Sequence, residues 1–329
     1  MCYLELNSLV LKIKINIKSQ EVYDVLNDKR KNEKSNFWEL LQQRILVIDG
    51  AMGTMLQENG LQPGECPEMW NLTHPEIVSK IHSAYLEAGA DIILTNTFGA
   101  NGIKLKKFNI QNQLEDINQE AVKLARKEVN IYCEKQSVEA LVGGSIGPTG
   151  EILEPCGPLT NEEAYRGYQE QIIVLASSGV DLIVLETFYN LDEIKIALKA
   201  VKENSNLPVF ASMSFDESLK TIYGISPEKA VEELFREGAD GVGANCGSGP
   251  ELLYQVVSKM RAITDAPLLV EPNAGIPYLE NNKVIYPTTP QEMAEYAGKF
   301  VQLRVNIIGG CCGTTPEHIK AIARVIKKE

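Results

Sequence analysis

Hydrophobic and polar positions follow a regular order from residue 37 onward. A short apolar run rich in Val, Ile and Leu is followed by a loop and then by a stretch of helical character. Eight such runs occur, at residues 45–49, 91–95, 140–145, 181–186, 208–212, 240–245, 267–271 and 305–310. Their apolarity is continuous rather than alternating, which is typical of strands that are covered on both faces in a parallel sheet.

Helix-start signals lie between the apolar runs. Thr160 with Glu163, and Thr289 with Glu292, fit the capping box, in which the two side chains satisfy free amides of the first turn. Eight strand–helix units in a domain of this size predict a single (β/α)8 TIM barrel over residues 37–329. A doubly wound open sheet is the alternative, but no Gly-x-Gly-x-x-Gly follows the first strand.

Residues 1–36 differ in pattern from the remainder of the chain. Residues 11–18 alternate apolar and polar side chains, as a half-exposed strand does, and residues 28–36 are charged and polar. We interpret residues 1–36 as an N-terminal appendage of unknown role.

Charge and composition exclude several classes of function. A net charge of −12 argues against nucleic acid and against anionic membranes as partners. No apolar run approaches the roughly 20 residues of a membrane span, and no secretory signal pattern opens the chain. We therefore expect a cytoplasmic protein, in which clustered cysteines favour metal binding or catalysis over disulfides.

In a barrel of this kind, chemistry gathers at the carboxyl ends of the strands. The polar residues predicted at those ends are Asp49, Asn96, Glu186, Asn245, Cys246, Glu271, Asn273, Cys311 and Cys312. The predicted sixth and eighth strands lie two apart around the ring. Their loops can therefore meet over its mouth, which brings Cys246 within reach of the cysteine pair.

Adjacent cysteines on a regular strand point to opposite faces, so Cys311 and Cys312 can share one ion only if the backbone leaves strand geometry. Glycines flank the pair at Gly309, Gly310 and Gly313. Glycine reaches conformations that other residues avoid, and we expect these three to provide that freedom. A buried structural pair and a redox-active pair remain the alternatives to a metal site.

Three cysteine ligands would leave a zinc ion with one open position, as in catalytic sites. Three thiolates also give the centre a net negative charge, which makes it a weak Lewis acid for water or carbonyl groups. Such a centre is suited to keeping a fourth sulfur deprotonated and nucleophilic. The residue types thus point to alkyl transfer onto a thiol rather than to hydrolysis.

Two acidic residues suit a small amino acid as the substrate. Asp49 opens a loop with Gly50 and Gly53, whose amides could hold a carboxylate, and Glu186 could pair with an ammonium group. The alternatives are a helix cap for Asp49 and a structural ion pair for Glu186.

Several stretches resemble the homocysteine S-methyltransferase family, most nearly the zinc- and homocysteine-binding domain of cobalamin-dependent methionine synthase. They are Asp49-Gly50-Ala51-Met52-Gly53-Thr54, Thr95-Asn96-Thr97-Phe98, Gly147-Pro148-Thr149-Gly150, Glu186-Thr187-Phe188, Asn245-Cys246, Glu271-Pro272-Asn273-Ala274-Gly275 and Gly309-Gly310-Cys311-Cys312-Gly313-Thr314-Thr315-Pro316. The last stretch is the most specific, and together they span nearly all of the predicted barrel.

The resemblance implies a (β/α)8 barrel that binds Zn²⁺ and homocysteine, whose sulfur takes the fourth metal position. The implied metal ligands are Cys246, Cys311 and Cys312, with Asn273 as a possible fourth ligand when substrate is absent. The implied substrate-binding residues are Asp49, Gly50, Ala51, Met52, Gly53, Thr54, Glu186 and Asn245. No separate protein base is implied, because the nucleophile is the zinc-activated substrate thiolate.

The resemblance also implies a methyl donor, for which we expect methylcobalamin on a corrinoid protein or domain, linked to methyltetrahydrofolate. A small donor such as S-methylmethionine is the alternative, and a non-catalytic zinc- or thiol-binding subunit is a third. Methionine synthase continues beyond this barrel into further modules. We therefore expect either one domain of a longer enzyme or a stand-alone chain.

Overall fold

A computed structural model describes residues 36–280 and 283–328, so the predicted appendage lies outside the described residues except for Asn36. Within them, eight parallel strands form the barrel: β1 (Leu46–Val47), β2 (Ile92–Leu94), β3 (Leu141–Ile146), β4 (Leu182–Phe188), β5 (Val209–Met213), β6 (Gly241–Asn245), β7 (Leu268–Glu271) and β10 (Ile307–Ile308). Each overlaps one of the eight apolar runs, which confirms the predicted (β/α)8 fold.

The strands are hydrogen-bonded in the order β1-β10-β7-β6-β5-β4-β3-β2. A parallel bridge between Ile48 and Ile92 joins the two ends of this sheet and nearly closes the ring. A two-stranded antiparallel hairpin, β8 (Tyr278–Glu280) and β9 (Lys283–Ile285), follows β7 and was not predicted from the sequence.

The helices of the described residues are α1 (Phe37–Gln43), α2 (Met52–Glu58), α3 (Trp70–Thr73), α4 (Pro75–Glu87), α5 (Gly102–Lys106), α6 (Leu114–Gln136), α7 (Asn161–Ser178), α8 (Leu191–Asn204), α9 (Pro227–Arg236), α10 (Pro250–Arg261), α11 (Pro290–Gln302) and α12 (Pro316–Lys327). Both predicted capping boxes, at Thr160 and Thr289, are formed. No helix in this part of the chain is long and apolar enough to cross a membrane.

Alternate residues of the strands fill the inside of the barrel. A buried cluster joins one interior position from each of seven strands: Leu46, Ile92, Leu141, Leu182, Phe210, Leu269 and Ile307. Helix α1 packs beneath it, since Phe37 is fully buried and its ring centroid lies 5.7 Å from that of Phe210. The amino-terminal end of the barrel is thus apolar and filled, which leaves the opposite end for chemistry.

The interior becomes polar toward the carboxyl ends of the strands. Because side chains alternate along a strand, the next inward positions above the apolar layers are occupied by Ser145, Glu186, Asn245 and Glu271. Asn245 and Glu271 are direct partners in the register of β6 and β7. These side chains form a polar layer at the barrel mouth, which we call the candidate pocket.

Candidate metal centre and substrate pocket

Three cysteine side chains converge above this polar layer. The Sγ atoms of Cys246, Cys311 and Cys312 all lie within 4.8 Å of one another, and those of Cys246 and Cys312 are 3.9 Å apart. Sulfurs that share a tetrahedral zinc at about 2.3 Å are about 3.8 Å apart. The spacing therefore fits three ligands of one zinc ion, and all three thiols are free of disulfides.

The cysteine pair lies where the chain departs from β10. The Cys311 amide donates to the carbonyl of Pro272 at 2.9 Å, and the Thr314 hydroxyl donates to the carbonyl of Cys311 at 2.6 Å. Gly313 has a φ of +79° and donates its amide to the Thr54 hydroxyl at 3.0 Å. The two cysteines thus sit in a turn and can face one ion.

The predicted role of the flanking glycines is correct for Gly313 but wrong for the other two. Gly309 and Gly310 have no positive φ, so their backbone needs no special freedom. They are required by crowding: a Cβ on Gly309 would lie 2.4 Å from the carbonyl oxygen of Ile48, and one on Gly310 would lie 2.4 Å from the Thr314 side chain. Glycine at these two positions thus lets the backbone approach Ile48 and Thr314 closely.

Cys246 reaches the cluster through an unusual backbone conformation. It follows β6 with a φ of 57°, a left-handed geometry that costs a non-glycine residue of order 1–3 kcal/mol. Its amide donates to the carbonyl of Glu271 at 3.1 Å, and its carbonyl accepts from Ser248 at 2.7 Å. Those bonds keep the strained residue in place and aim its thiol at Cys311 and Cys312.

The three cysteine thiols differ in pKa. Hydrogen bonds from Cys311 and Cys312 lower the pKa of Cys246 to about 3. The same sharing raises the pKa of Cys311, and it raises the pKa of Cys312 to about 12. The cluster is thus anionic at neutral pH, and a bound dication would displace its remaining protons.

Two asparagines border the sulfurs. Asn273 is 6% exposed, and its Oδ1 atom is buried with no hydrogen-bond partner within residues 36–280 and 283–328. Asn245 is engaged: its Oδ1 accepts from the Ser212 hydroxyl and the Thr187 amide, both at 2.8 Å, and its Nδ2 lies 3.9 Å from the Cys311 Sγ. Asn273 thus has a free oxygen beside the cysteines, whereas Asn245 is bound within the pocket wall.

Asp49 and Glu186 both belong to the candidate pocket. Neither plays the structural role named as its alternative, which was a helix cap for Asp49 and an ion pair for Glu186. Asp49 is 2% exposed and accepts the Leu94 amide at 2.9 Å, whereas the cap of α2 is Ala51. Glu186 accepts the Ser145 hydroxyl at 2.5 Å. Asp49 is therefore not a helix cap, and Glu186 forms no ion pair within the described residues.

Burial sets the electrostatics of these two carboxyl groups. Burial raises the pKa of Asp49 well above its ordinary range, and the nearby Glu186 raises it further. Burial likewise raises the pKa of Glu186 to about 7, the Ser145 hydrogen bond opposes this, and the Cys246 charge adds to it. Both groups would gain from a cation in the pocket.

The predicted loop of residues 50–54 lies beside the cysteine turn. The Ala51 amide is already bonded to the carbonyl of Thr314 at 3.0 Å, and Gly50 is packed against the same residue. Met52, Gly53 and Thr54 form the first turn of α2, where backbone amides lack helical partners. The backbone amides left without helical partners beside the cysteine turn are therefore those of this first turn, and the Ala51 amide is not among them.

Some residues at the site were not assigned a role from the sequence. Ser145 and Thr187 orient Glu186 and Asn245, and the ring of Tyr286 lies against Gly313 beside the cysteines. Burial raises the pKa of Tyr286 to about 12, with a further rise from the Cys312 charge. Ser145 and Thr187 could have been suspected from their places at strand ends, but nothing in the sequence near Tyr286 indicated its contact.

Comparison with known protein families identifies the family that shares these residues. The profile of the homocysteine S-methyltransferase family matches residues 46–326, which include all three cysteines and both acidic residues. The chain belongs to the homocysteine S-methyltransferase family.

Two curated relatives are methionine synthases. That of Mycobacterium leprae is 32% identical over 302 residues, which cover 88% of this chain and 25% of the relative. That of Mycobacterium tuberculosis is 32% identical over 300 residues, with the same coverage. The chain thus spans about a quarter of the length of these relatives, and the resemblance to methionine synthase that the motifs implied is confirmed.

A solved structure supports the fold. The metallated form of the homocysteine methyltransferase MmuM from Escherichia coli has a TM-score of 0.75 at 24% identity, with 88% of this chain and 98% of that chain covered. At 24% identity this similarity supports the barrel fold and not a particular reaction.

Proposed function

We propose that this chain transfers a methyl group to the sulfur of homocysteine and forms methionine at a zinc centre. Family membership supports the acceptor, since the matching profile is that of homocysteine S-methyltransferases. The observation that carries the proposal is the convergence of three cysteine sulfurs within 4.8 Å of one another above a pocket lined with carboxyl groups.

The donor set fits zinc in its catalytic form. Cys246, Cys311 and Cys312 would hold the ion, and the unpartnered oxygen of Asn273 would be a fourth ligand before substrate binds. When bound, zinc supplies a centre that keeps a coordinated thiol deprotonated at neutral pH.

The protein's own residues would hold the amino acid in place. Asp49 and Glu186 would accept hydrogen bonds from the substrate ammonium, and the first-turn amides of α2 at Met52 and Gly53 would face its carboxylate. Asn245 would keep the pocket wall in place through its bonds to Thr187 and Ser212. The substrate sulfur then forms its bond to the methyl carbon as the bond to the donor breaks, and the bonding pair leaves with the donor.

For the methyl donor, we propose methylcobalamin carried by a partner domain or protein and recharged from methyltetrahydrofolate. The higher identity to the methionine synthases, 32%, than to MmuM, 24%, supports this choice. S-methylmethionine as donor, and a non-catalytic thiol-binding subunit, are the outcomes that the experiment must separate from it.

Methyl transfer by the zinc-loaded chain tests the proposal. Homocysteine would be supplied with methylcobalamin, with a methylated corrinoid protein or with S-methylmethionine, and methionine would be measured. We expect turnover with the corrinoid donors, and Cys311→Ala should lose both zinc and activity. Cys156→Ala is the matched control, because that thiol is exposed and outside the cluster.

Turnover with S-methylmethionine alone would overturn the proposed donor. Zinc binding without methionine from any donor would indicate the non-catalytic subunit. Full activity of the Cys311→Ala variant would contradict the mechanism itself.

A further inference from the structure

A third carboxyl group lies in the pocket, on a residue to which neither the motifs nor the family resemblance assigned a role. Glu271 ends β7, two residues beyond the interior residue Leu269, so its side chain points into the barrel. Its own carbonyl accepts the amide of Cys246. Glu271 is therefore built into the floor directly beneath the metal ligands.

One carboxylate oxygen of Glu271 is buried and unbonded. The residue is 2% exposed, and its Oε2 atom has no hydrogen-bond partner among the described residues. Buried polar atoms in native proteins are almost always bonded, and an orphaned one calls for an explanation such as a ligand. The charged groups that act on it, Glu186, Asp49 and Cys246, are all acidic, and none of them is hydrogen-bonded to its Oε2 atom among the described residues.

The protein supplies no cation to this acidic group within the part of the chain that the structure describes. Its ion pairs there involve helix surfaces and the barrel's other end, and none includes Asp49, Glu186 or Glu271. Lys104 attracts Glu186 from a distance and lowers its pKa, but it forms no ion pair with the three carboxyl groups among the described residues, and its amino group lies 4.5 Å from the centroid of the Phe98 ring. The pocket thus offers acceptors to a positively charged group of a bound ligand.

Hydrogen-bond capacity identifies the kind of cation. Asp49 and Glu186 each have one oxygen engaged, with the Leu94 amide and the Ser145 hydroxyl. With Glu271, three carboxyl groups are available to one ligand, and a primary ammonium group has three N–H donors. We propose that Glu271 is a third acceptor for the substrate's α-ammonium group and makes the pocket selective for amino-acid thiols over thiols that lack an amine.

This inference rests on the proposed function, and a binding experiment with Glu271→Gln tests it separately. Calorimetry on zinc-loaded protein would measure the affinities for homocysteine and for 4-sulfanylbutanoate, the same thiol acid without its amino group. Loss of one charge-assisted hydrogen bond should weaken homocysteine binding roughly ten- to a hundredfold. Binding of the amine-free thiol should change by no more than about twofold, because it never used that bond.

Glu233→Gln is the matched control. Glu233 is another buried glutamate, but it lies on α9 and pairs with Lys195, Lys229 and Arg236. That variant should keep both affinities.

Equal losses for the two thiols in Glu271→Gln, or no loss for either, would overturn the role of Glu271. A wild-type protein that binds neither thiol would instead refute the proposed function.

Discussion

His82 should make the stability of this protein sensitive to mild acid. It lies on α4 and is fully buried, and neither ring nitrogen has a hydrogen-bond partner in the part of the chain that the structure describes. Burial lowers its pKa from 6.5 to about 4. The folded protein therefore keeps this imidazole neutral over a range of pH in which the unfolded chain protonates it.

The size of the effect follows from the two pKa values. Below pH 6.5 the imidazole binds a proton in the unfolded state but not in the folded state, so the free energy of unfolding falls as pH falls toward 4. Between pH 7 and pH 5 this one residue should remove about 2 kcal/mol from the free energy of unfolding. That is a large part of the 5–15 kcal/mol typical of a folded domain.

Denaturant unfolding of His82→Leu and His82→Asn at pH 7 and pH 5 measures this contribution. Between pH 7 and pH 5, the free energy of unfolding of each variant should fall by about 2 kcal/mol less than that of the wild type. Other groups, such as the buried Asp49 and Glu271, titrate alike in all three proteins and cancel in the comparison. Wild-type pH dependence in both variants would refute the reasoning.

Two further predictions concern the pocket. Ser145→Ala removes the hydrogen bond that lowers the pKa of Glu186, so that pKa should rise above about 7. Homocysteine binding should then shift to higher pH, and an unshifted pH profile of binding would contradict this. Gly309→Ala places a Cβ 2.4 Å from the Ile48 carbonyl and should lower zinc content and melting temperature, whereas Gly53→Ala, with nothing within 4 Å, should keep both.

The barrel could be predicted from sequence because its strands are buried on both faces. Continuous apolar runs such as residues 181–186 leave few alternatives once helix signals separate them. The last run was predicted four residues too long, since β10 contains only Ile307 and Ile308. Beyond Ile308 the chain is held by bonds from the Gly309 amide to the Val270 carbonyl and from the Gly310 amide to the Asp49 carbonyl, and such contacts between distant residues have no local signal.

The site was predictable where chemistry is carried by residue type. The pairing of Cys311 with Cys312 and the position of Cys246 after a strand were sufficient to propose a shared metal. The left-handed backbone of Cys246 and the orphaned oxygen of Glu271 were not predictable, because both depend on contacts across the barrel mouth. Both residues lie where β6 and β7 end side by side, and one strand's sequence does not specify its neighbour's register.

The central claim is that the three cysteines form a zinc site whose open position takes the substrate sulfur. X-ray absorption at the zinc edge tests it most directly, because zinc–sulfur bonds of about 2.3 Å are distinguishable from shorter bonds to oxygen. We predict three sulfur ligands and one oxygen ligand without homocysteine, and four sulfur ligands with it. A sulfur count that stays at three when homocysteine is saturating would contradict the account.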